Sequence, residues 1–252
     1  MLRVKIVAVT TMQSNAIQKL HKEIVAEFKR CDAGKSRFNL SGYLGTQNKL
    51  YHLKSAQQNS IAKDFLNRHK DISEEQFLEL LTALYTGESF NERTFGTRLL
   101  EYKRAFKPLF TPSRVFGWLG GLAGWCEVDS LCQTTFMARD LLGDWKNWEK
   151  TIEKMSRDKN ISRRRASLVL LVKSVRGSGD DRLASLAFDN LERLKGEKDI
   201  LVSKAVSWLL RDLIKHHKAR VSAFLVDNKD VLPKFVIKEV SNKLTYGTKS
   251  HK

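Results

Sequence analysis

The feature that most constrains this chain is its punctuation. Helix-start signals recur at nearly even intervals through most of its 252 residues. Ser73 with Gln76 and Ser89 with Glu92 have the spacing of capping boxes, which predicts helices opening at about 74 and 90. Thr111-Pro112 reads as an N-cap followed by proline at the first helical position. Gly124 marks a break before a helix carrying Trp125, and Gly143-Asp144 closes one helix and caps the next. Asn160 or Ser162, Gly179-Asp180, Gly196 to Asp199 and Pro233 continue the series. Taking the second helix of each pair, starts near Ser89, Trp125, Ile161, Asp199 and Pro233 are spaced by 36, 36, 38 and 34 residues.

A period of this length, built from two helices per unit, predicts an all-α chain folded as an α-solenoid of HEAT-like repeats, against the rival reading of an ordinary helical domain with chance regularity. Only 3 Pro occur, in keeping with helices throughout. One domain over residues 1–252 is expected, with 1–13 and 248–252 as flexible ends. A helix is predicted from Asn15 to Arg30, with Ile17, Leu20, Ile24, Val25 and Phe28 facing inward. A polar loop should span Cys31 to Ser41, and a second helix should run from about Thr46 to Asn67.

Charge narrows the partner. Forty-five Lys and Arg against 28 Asp and Glu give +17, a balance that suits a polyanion on a basic concave groove. The 3 Cys, at 31, 126 and 132, have neither the number nor the spacing of a disulfide framework or metal cluster, which points to a reducing compartment. No window approaches the ~20 apolar residues of a membrane span. A soluble, monomeric, cytoplasmic protein is expected, nucleoid-associated in a bacterium.

Stacked repeats bring residues one period apart into contact, and this gives the chemistry its shape. Trp125 and Asp129 lie four apart on one helical face, continued by Cys132 and Phe136. A carboxylate on such a stripe needs compensation. One repeat later Arg165 shares a stripe with Leu168, Val169 and Val172 and is the obvious partner for Asp129. The pair reads either as an inter-repeat clamp or as part of a catalytic site. Arg163 and Arg164 flank it and read as solvated or phosphate-facing. A further repeat on, Trp208 shares a face with Lys204, Arg211 and Lys215, opposite a core stripe of Val202, Ala205, Val206, Leu209 and Leu213. Cations around an indole suit phosphates beside a sugar or base.

One carboxylate without a second acid, metal cluster or activated nucleophile disfavours amide, ester or glycoside hydrolysis. It suits a substrate whose leaving group is already activated, such as an N-alkylated purine bearing positive charge. Asp129 would stabilise cationic sugar character and place a water, the indoles would attract the cation, and Arg165 would keep Asp129 ionised by lowering its pKa.

Over residues 43–247 the chain resembles the AlkD-type family of DNA alkylation-repair glycosylases, which are built from HEAT-like repeats. The blocks that carry the likeness are YLGTQ at Tyr43, WCEVDSLC at Trp125, RRRASL at Arg163, KAVSWLLRD at Lys204 and LPKFVIKEVSNKL at Leu232. The resemblance implies a catalytic Asp129 with Trp125, Trp208 and Arg165, and removal of N3- or N7-alkylated purines from double-stranded DNA without base flipping or cofactor. Ser162 stands where the family commonly has Trp, and the family's N-terminal aromatic falls on Phe38 or Tyr43. Two rival readings are a non-catalytic DNA-binding repeat protein that recognises DNA structure or damage, and a protein-interaction scaffold. Elsewhere, Trp145 and Trp148 read as packing between repeats, His216-His217 as a loop on a basic surface, and Lys249 to Lys252 as a mobile phosphate-touching tail.

Overall fold

The structure, a computed structural model, describes residues 2–34 and 38–250, with side chains from Asn15 onward. The tail expectation for residues 251 and 252 lies outside the described residues. Among those described the fold is all-helical: no strand forms, and one isolated bridge joins Lys49 to Ser89. Contacts divide the chain into two compact units, Met1–Glu127 and Val128–Lys252.

The first unit holds α1 (Leu2–Cys31), α2 (Leu40–Leu44), α3 (Ser55–Arg68), α4 (Glu74–Tyr85), α5 (Phe90–Tyr102), a 3-10 turn at Arg104–Leu109, α6 (Pro112–Leu119) and the start of α7 (Gly124–Thr135). Helix α1 extends to the N-terminal side of the expected Asn15, and Ile17, Ile24 and Phe28 form its buried stripe while Leu20 and Val25 are half-buried. Helices α4 and α5 begin where the capping boxes place them. Ser73 Oγ accepts from Gln76 N (3.2 Å), and Ser89 Oγ accepts from Glu92 N (3.2 Å). Phe28, Phe65, Phe77, Leu84 and Phe95 fill the space between α1, α3, α4 and α5, with Phe28 and Phe95 meeting edge to face at 5.0 Å.

The expected helix over 46–67 is a correction. Helix α2 already starts at Leu40, inside the predicted loop, and ends at Gly45 with φ +70°. Residues between α2 and α3 stay irregular because their polar groups are taken from elsewhere in the fold. Thr46 Oγ1 and Asn48 Nδ2 donate to Glu127, Lys49 O accepts from Phe90 N, and Tyr51 N donates to Asn91. The Lys49 carbonyl and the Tyr51 N–H thus bond to long-range partners instead of pairing locally as they would in a helix.

The second unit continues α7 and adds α8 (Ala138–Gly143), α9 (Trp145–Ser156), α10 (Ile161–Gly177), α11 (Asp181–Leu194), α12 (Ile200–Asp227) and α13 (Lys234–Tyr246). Asn160, Asp180 and Asp199 cap α10, α11 and α12 through side-chain oxygens. Thr111 and Asp144 occupy N-cap positions without that bond. Helices α9 and α11 pack on one another, while α10 touches α9, α11 and α12, and α12 touches α11 and α13. Arrayed between neighbours on several sides, α10 buries Ala166 through Val172 without a break, which is how a helix apolar all round is accommodated. The His216-His217 loop is also corrected. The helix passes through with a kink at His217 (φ −132°, ψ 41°). Trp148 packs edge to face on Phe136 at 4.8 Å, and Trp145 lies 5.8 Å from the Arg182 guanidinium.

Gly124 opens α7 at φ +69°, and a Cβ there would lie 2.3 Å from Gly45 O and 2.5 Å from Leu44 O. Gly124→Ala is expected to cost about 2–4 kcal/mol, combining left-handed strain with overpacking. Gly117→Ala, inside α6 with nothing within 4 Å of its Cβ, should be neutral or stabilise by up to ~1 kcal/mol. Urea midpoints of the two variants check the contrast.

Candidate active site

Helix α7 begins against the α2 turn. Trp125 Nε1 donates to Tyr43 O at 2.6 Å, and the Tyr43 ring stands edge-on to the indole at 5.5 Å and 87°. Phe38 leans on Tyr43 in turn, at 5.7 Å. Both rings are exposed, 60% for Phe38 and 59% for Tyr43, so aromatic surface extends outward from Trp125. The two candidates for the N-terminal aromatic are therefore neighbours, and Tyr43 is the one in contact with Trp125.

Asp129, one turn beyond Trp125 on the same helix, is gripped by Arg165 from α10. Nε donates to Oδ1 at 2.9 Å and Nη2 donates to Oδ2 at 2.7 Å, a fork-on-fork pair. The remaining Arg165 nitrogen, Nη1, donates to the Leu201 carbonyl at the start of α12. The side chains are 13% and 5% exposed, so the pair is largely withdrawn from water. The expected partnership is present, but its electrostatic consequence differs from the expectation. Burial outweighs the guanidinium and holds the Asp129 carboxyl above the ordinary aspartate range, with Arg165 pulling it back down only in part. Stability follows with a definite sign. This group favours the folded chain below its unfolded value of about 3.9, and that contribution is lost as pH rises through the raised folded value. One turn further on, burial and then the Asp129 charge push the Cys132 thiol well up, so it stays protonated.

Trp208 is half-buried on α12 with the five expected core residues buried behind it. The cations expected beside these indoles divide into two kinds. Lys204 is exposed, and exposed Lys215 donates to Arg176 O at 3.0 Å. The arginines are pinned. Arg211 is bonded to Ser207 and Glu239, and burial draws its guanidinium below its usual value. Arg163 meets Asp158 at 3.1 Å, and Arg164 meets Glu197 at 2.7 Å as well as the carbonyls of Asp158 and Lys159. Arg163 and Arg164, read from the sequence as solvated or phosphate-facing, are half-buried and paired with neighbouring carboxylates and carbonyls. Ser162 is buried at the start of α10.

Sequence reasoning missed Glu127. It is 0% exposed, and its carboxylate accepts from Thr46 Oγ1, Asn48 Nδ2 and Ala123 N, each at 2.8 Å, with Arg93 Nη1 at 3.8 Å. The only signal in the chain is an acidic residue in the first turn of α7. Among the described residues no group of three or more His, Cys, Asp or Glu side chains converges in a way that could hold a metal ion. No described helix is long and apolar enough to cross a membrane.

This arrangement is an all-helical scaffold in which Arg165 clamps the Asp129 carboxylate. The family model for DNA alkylation repair enzymes matches residues 10–244, and the chain belongs to that family. DNA is therefore its partner. Solved structures agree on the fold. A structure described as a predicted DNA alkylation repair enzyme from Enterococcus faecalis superimposes with TM-score 0.67 at 16% identity, covering 85% of this chain and 97% of that one. AlkD2 from Streptococcus mutans superimposes with TM-score 0.53 at 17% identity, covering 81% and 96%. No curated protein matches the chain significantly.

Arg165→Ala is expected to destabilise the protein by about 3–5 kcal/mol, because a mostly buried carboxylate loses its counterion. Arg165→Lys should restore only part of this, since an ammonium cannot make the two-pronged contact. Denaturant midpoints with an unchanged slope check both.

Proposed function

We propose that this protein is a DNA glycosylase that releases positively charged N3- or N7-alkylated purines from duplex DNA by hydrolysis of the N-glycosidic bond. The observation that carries the reading is Asp129, a single carboxylate fixed by a two-pronged arginine in a largely dry setting. Membership of the alkylation-repair family supports it.

In the proposed reaction the C1′–N9 bond breaks first, and its electron pair passes to the purine, cancelling the positive charge there. The base leaves neutral without prior protonation. Positive charge grows on C1′ and the ring oxygen, where Asp129 stabilises it. Each Asp129 oxygen retains acceptor capacity beyond its bond to Arg165, which serves to orient a water. That water adds to C1′ and gives up a proton to bulk solvent, leaving an abasic sugar. Trp125 and Trp208 offer indole faces worth ~0.5–2 kcal/mol each to a cation. Lys204 and Lys215 are placed to meet phosphates, and the lesion stays stacked in the helix. Water is the only co-reactant, and the protein acts as a monomer of one repeat domain.

A second reading is a non-catalytic protein that recognises damaged DNA. It is favoured by one observation: Arg165 already occupies both Asp129 oxygens, as a purely structural clamp would.

Free 7-methylguanine released from methylated duplex separates the two. Asp129→Asn is expected to lower single-turnover release about 100-fold or more, with DNA affinity within about twofold of the parent. Undiminished release by that variant would sink the catalytic assignment, and no release by the parent protein would leave the second reading. Release should also fall on the acid side as Asp129 takes up its proton, with a midpoint above the ordinary aspartate value of about 3.9. A pH profile of single-turnover rates, with DNA binding held saturating, reads that limb. Affinity for undamaged duplex should drop steeply with salt.

A further inference from the structure

Trp125 can contribute to base release only if its indole is held in one orientation, and two contacts that hold it come from outside α7. Its Nε1–H is taken by Tyr43 O (2.6 Å), and its ring is bordered by the Tyr43 edge. Both contacts come from a short turn whose own helix, α2, has only five residues and ends in a left-handed Gly45. So short a helix is not stable alone. Something else must dock the turn against α7.

Glu127 is that element. Its carboxylate is fully buried and receives Thr46 Oγ1 and Asn48 Nδ2 on one oxygen and Ala123 N on the other. Thr46 and Asn48 follow Gly45 directly, and Thr46 Oγ1 also accepts from Asn48 N at 3.1 Å. Ala123 immediately precedes Gly124, whose backbone presses on Leu44 O and Gly45 O so closely that a Cβ would not fit. Arg93 closes the far side. It lies 3.8 Å from Glu127 and donates to Gly87 O (2.7 Å) and to Gly121 O. The site therefore offers donors from several sides to one acceptor-only group, which a carboxylate satisfies and an amide cannot without turning a donor toward a donor. With no exposure, Glu127 is out of reach of any substrate, so a direct chemical role is excluded.

We propose that Glu127 is a positioning residue for base release, acting through the Thr46–Asn48 turn and the Tyr43 carbonyl to fix the Trp125 indole. This rests on the glycosylase reading above for its kinetic consequence, while the placement of the indole can be measured without it.

The test uses the full chain labelled with ¹⁵N, with the Trp125 indole signal assigned by its loss in Trp125→Phe. In Glu127→Gln, hydrogen exchange at the Trp125 indole is expected to quicken about tenfold or more. Single-turnover release of 7-methylguanine should fall about tenfold, with DNA affinity little changed, because a misoriented group costs rate rather than binding. The double variant Glu127→Gln with Trp125→Phe should fall no further than the worse single variant. Thr46→Val removes one donor with little change of shape and gives the same readouts in smaller measure if Glu127→Gln folds poorly. Unchanged exchange at the Trp125 indole, or fully multiplicative losses in the double variant, would overturn the proposal. Absence of base release by the parent protein would instead remove the glycosylase reading, and the indole measurement alone would then decide whether Glu127 holds Trp125.

Discussion

The second unit depends on one guanidinium. Arg165 sits at the start of α10, takes both oxygens of Asp129 on α7, and reaches forward to a carbonyl on α12. It therefore touches the helix one repeat before and the helix one repeat after its own. A lysine could reach only one of these with its point charge, whereas the planar fork satisfies both at once. The same offset recurs beside it: Gln133 bonds to Val169 O, and Arg176 pairs with Asp212, each 36 residues apart. The repeat period is thus written in side-chain contacts as well as in helix starts. A buried pair of this kind is weak evidence for stability in itself, because both charges lose hydration. Its geometric value is firmer, since it sets the orientation of Asp129.

Helix α7 carries two buried or nearly buried carboxylates, Glu127 and Asp129, whose surroundings differ. Glu127 faces the α2 turn and is saturated by neutral donors and one arginine at longer range. Asp129 faces α10 and has a single strong partner together with residual access to solvent. Burial raises the Asp129 carboxyl while Arg165 resists.

How much of this was legible in the chain depends on the range of the interaction. Ser73, Ser89, Asn160, Asp180 and Asp199 gave their helices away because an N-cap is satisfied within three residues. Arg165 and Asp129 could be paired because an even repeat converts sequence spacing into proximity. The segment after Gly45 could not be read, since its polar groups pair with Glu127, Phe90 and Asn91, which lie far along the chain. The direction of the Asp129 shift was missed for a related reason. Attraction to a named arginine is visible in sequence, but the amount of surrounding protein that excludes water is not. Arg163, Arg164 and Arg211 look alike in sequence to freely solvated cations, and only the fold supplies Asp158, Glu197 and Glu239.

Those pinned arginines bear on how a chain of net charge +17 meets a polyanion. A phosphate that recruited Arg164 would have to displace Glu197 and two carbonyls already satisfying it. Recruiting Arg211 would strip Ser207 and Glu239 of theirs. Each exchange trades one charge-assisted bond for another and leaves a carboxylate beside the incoming phosphate, so little is gained. Exposed lysines such as Lys204 exchange only water and counterions, which is the favourable transaction in binding DNA. Arg163, Arg164 and Arg211 are thus each held by a carboxylate within the fold, as Arg165 is by Asp129.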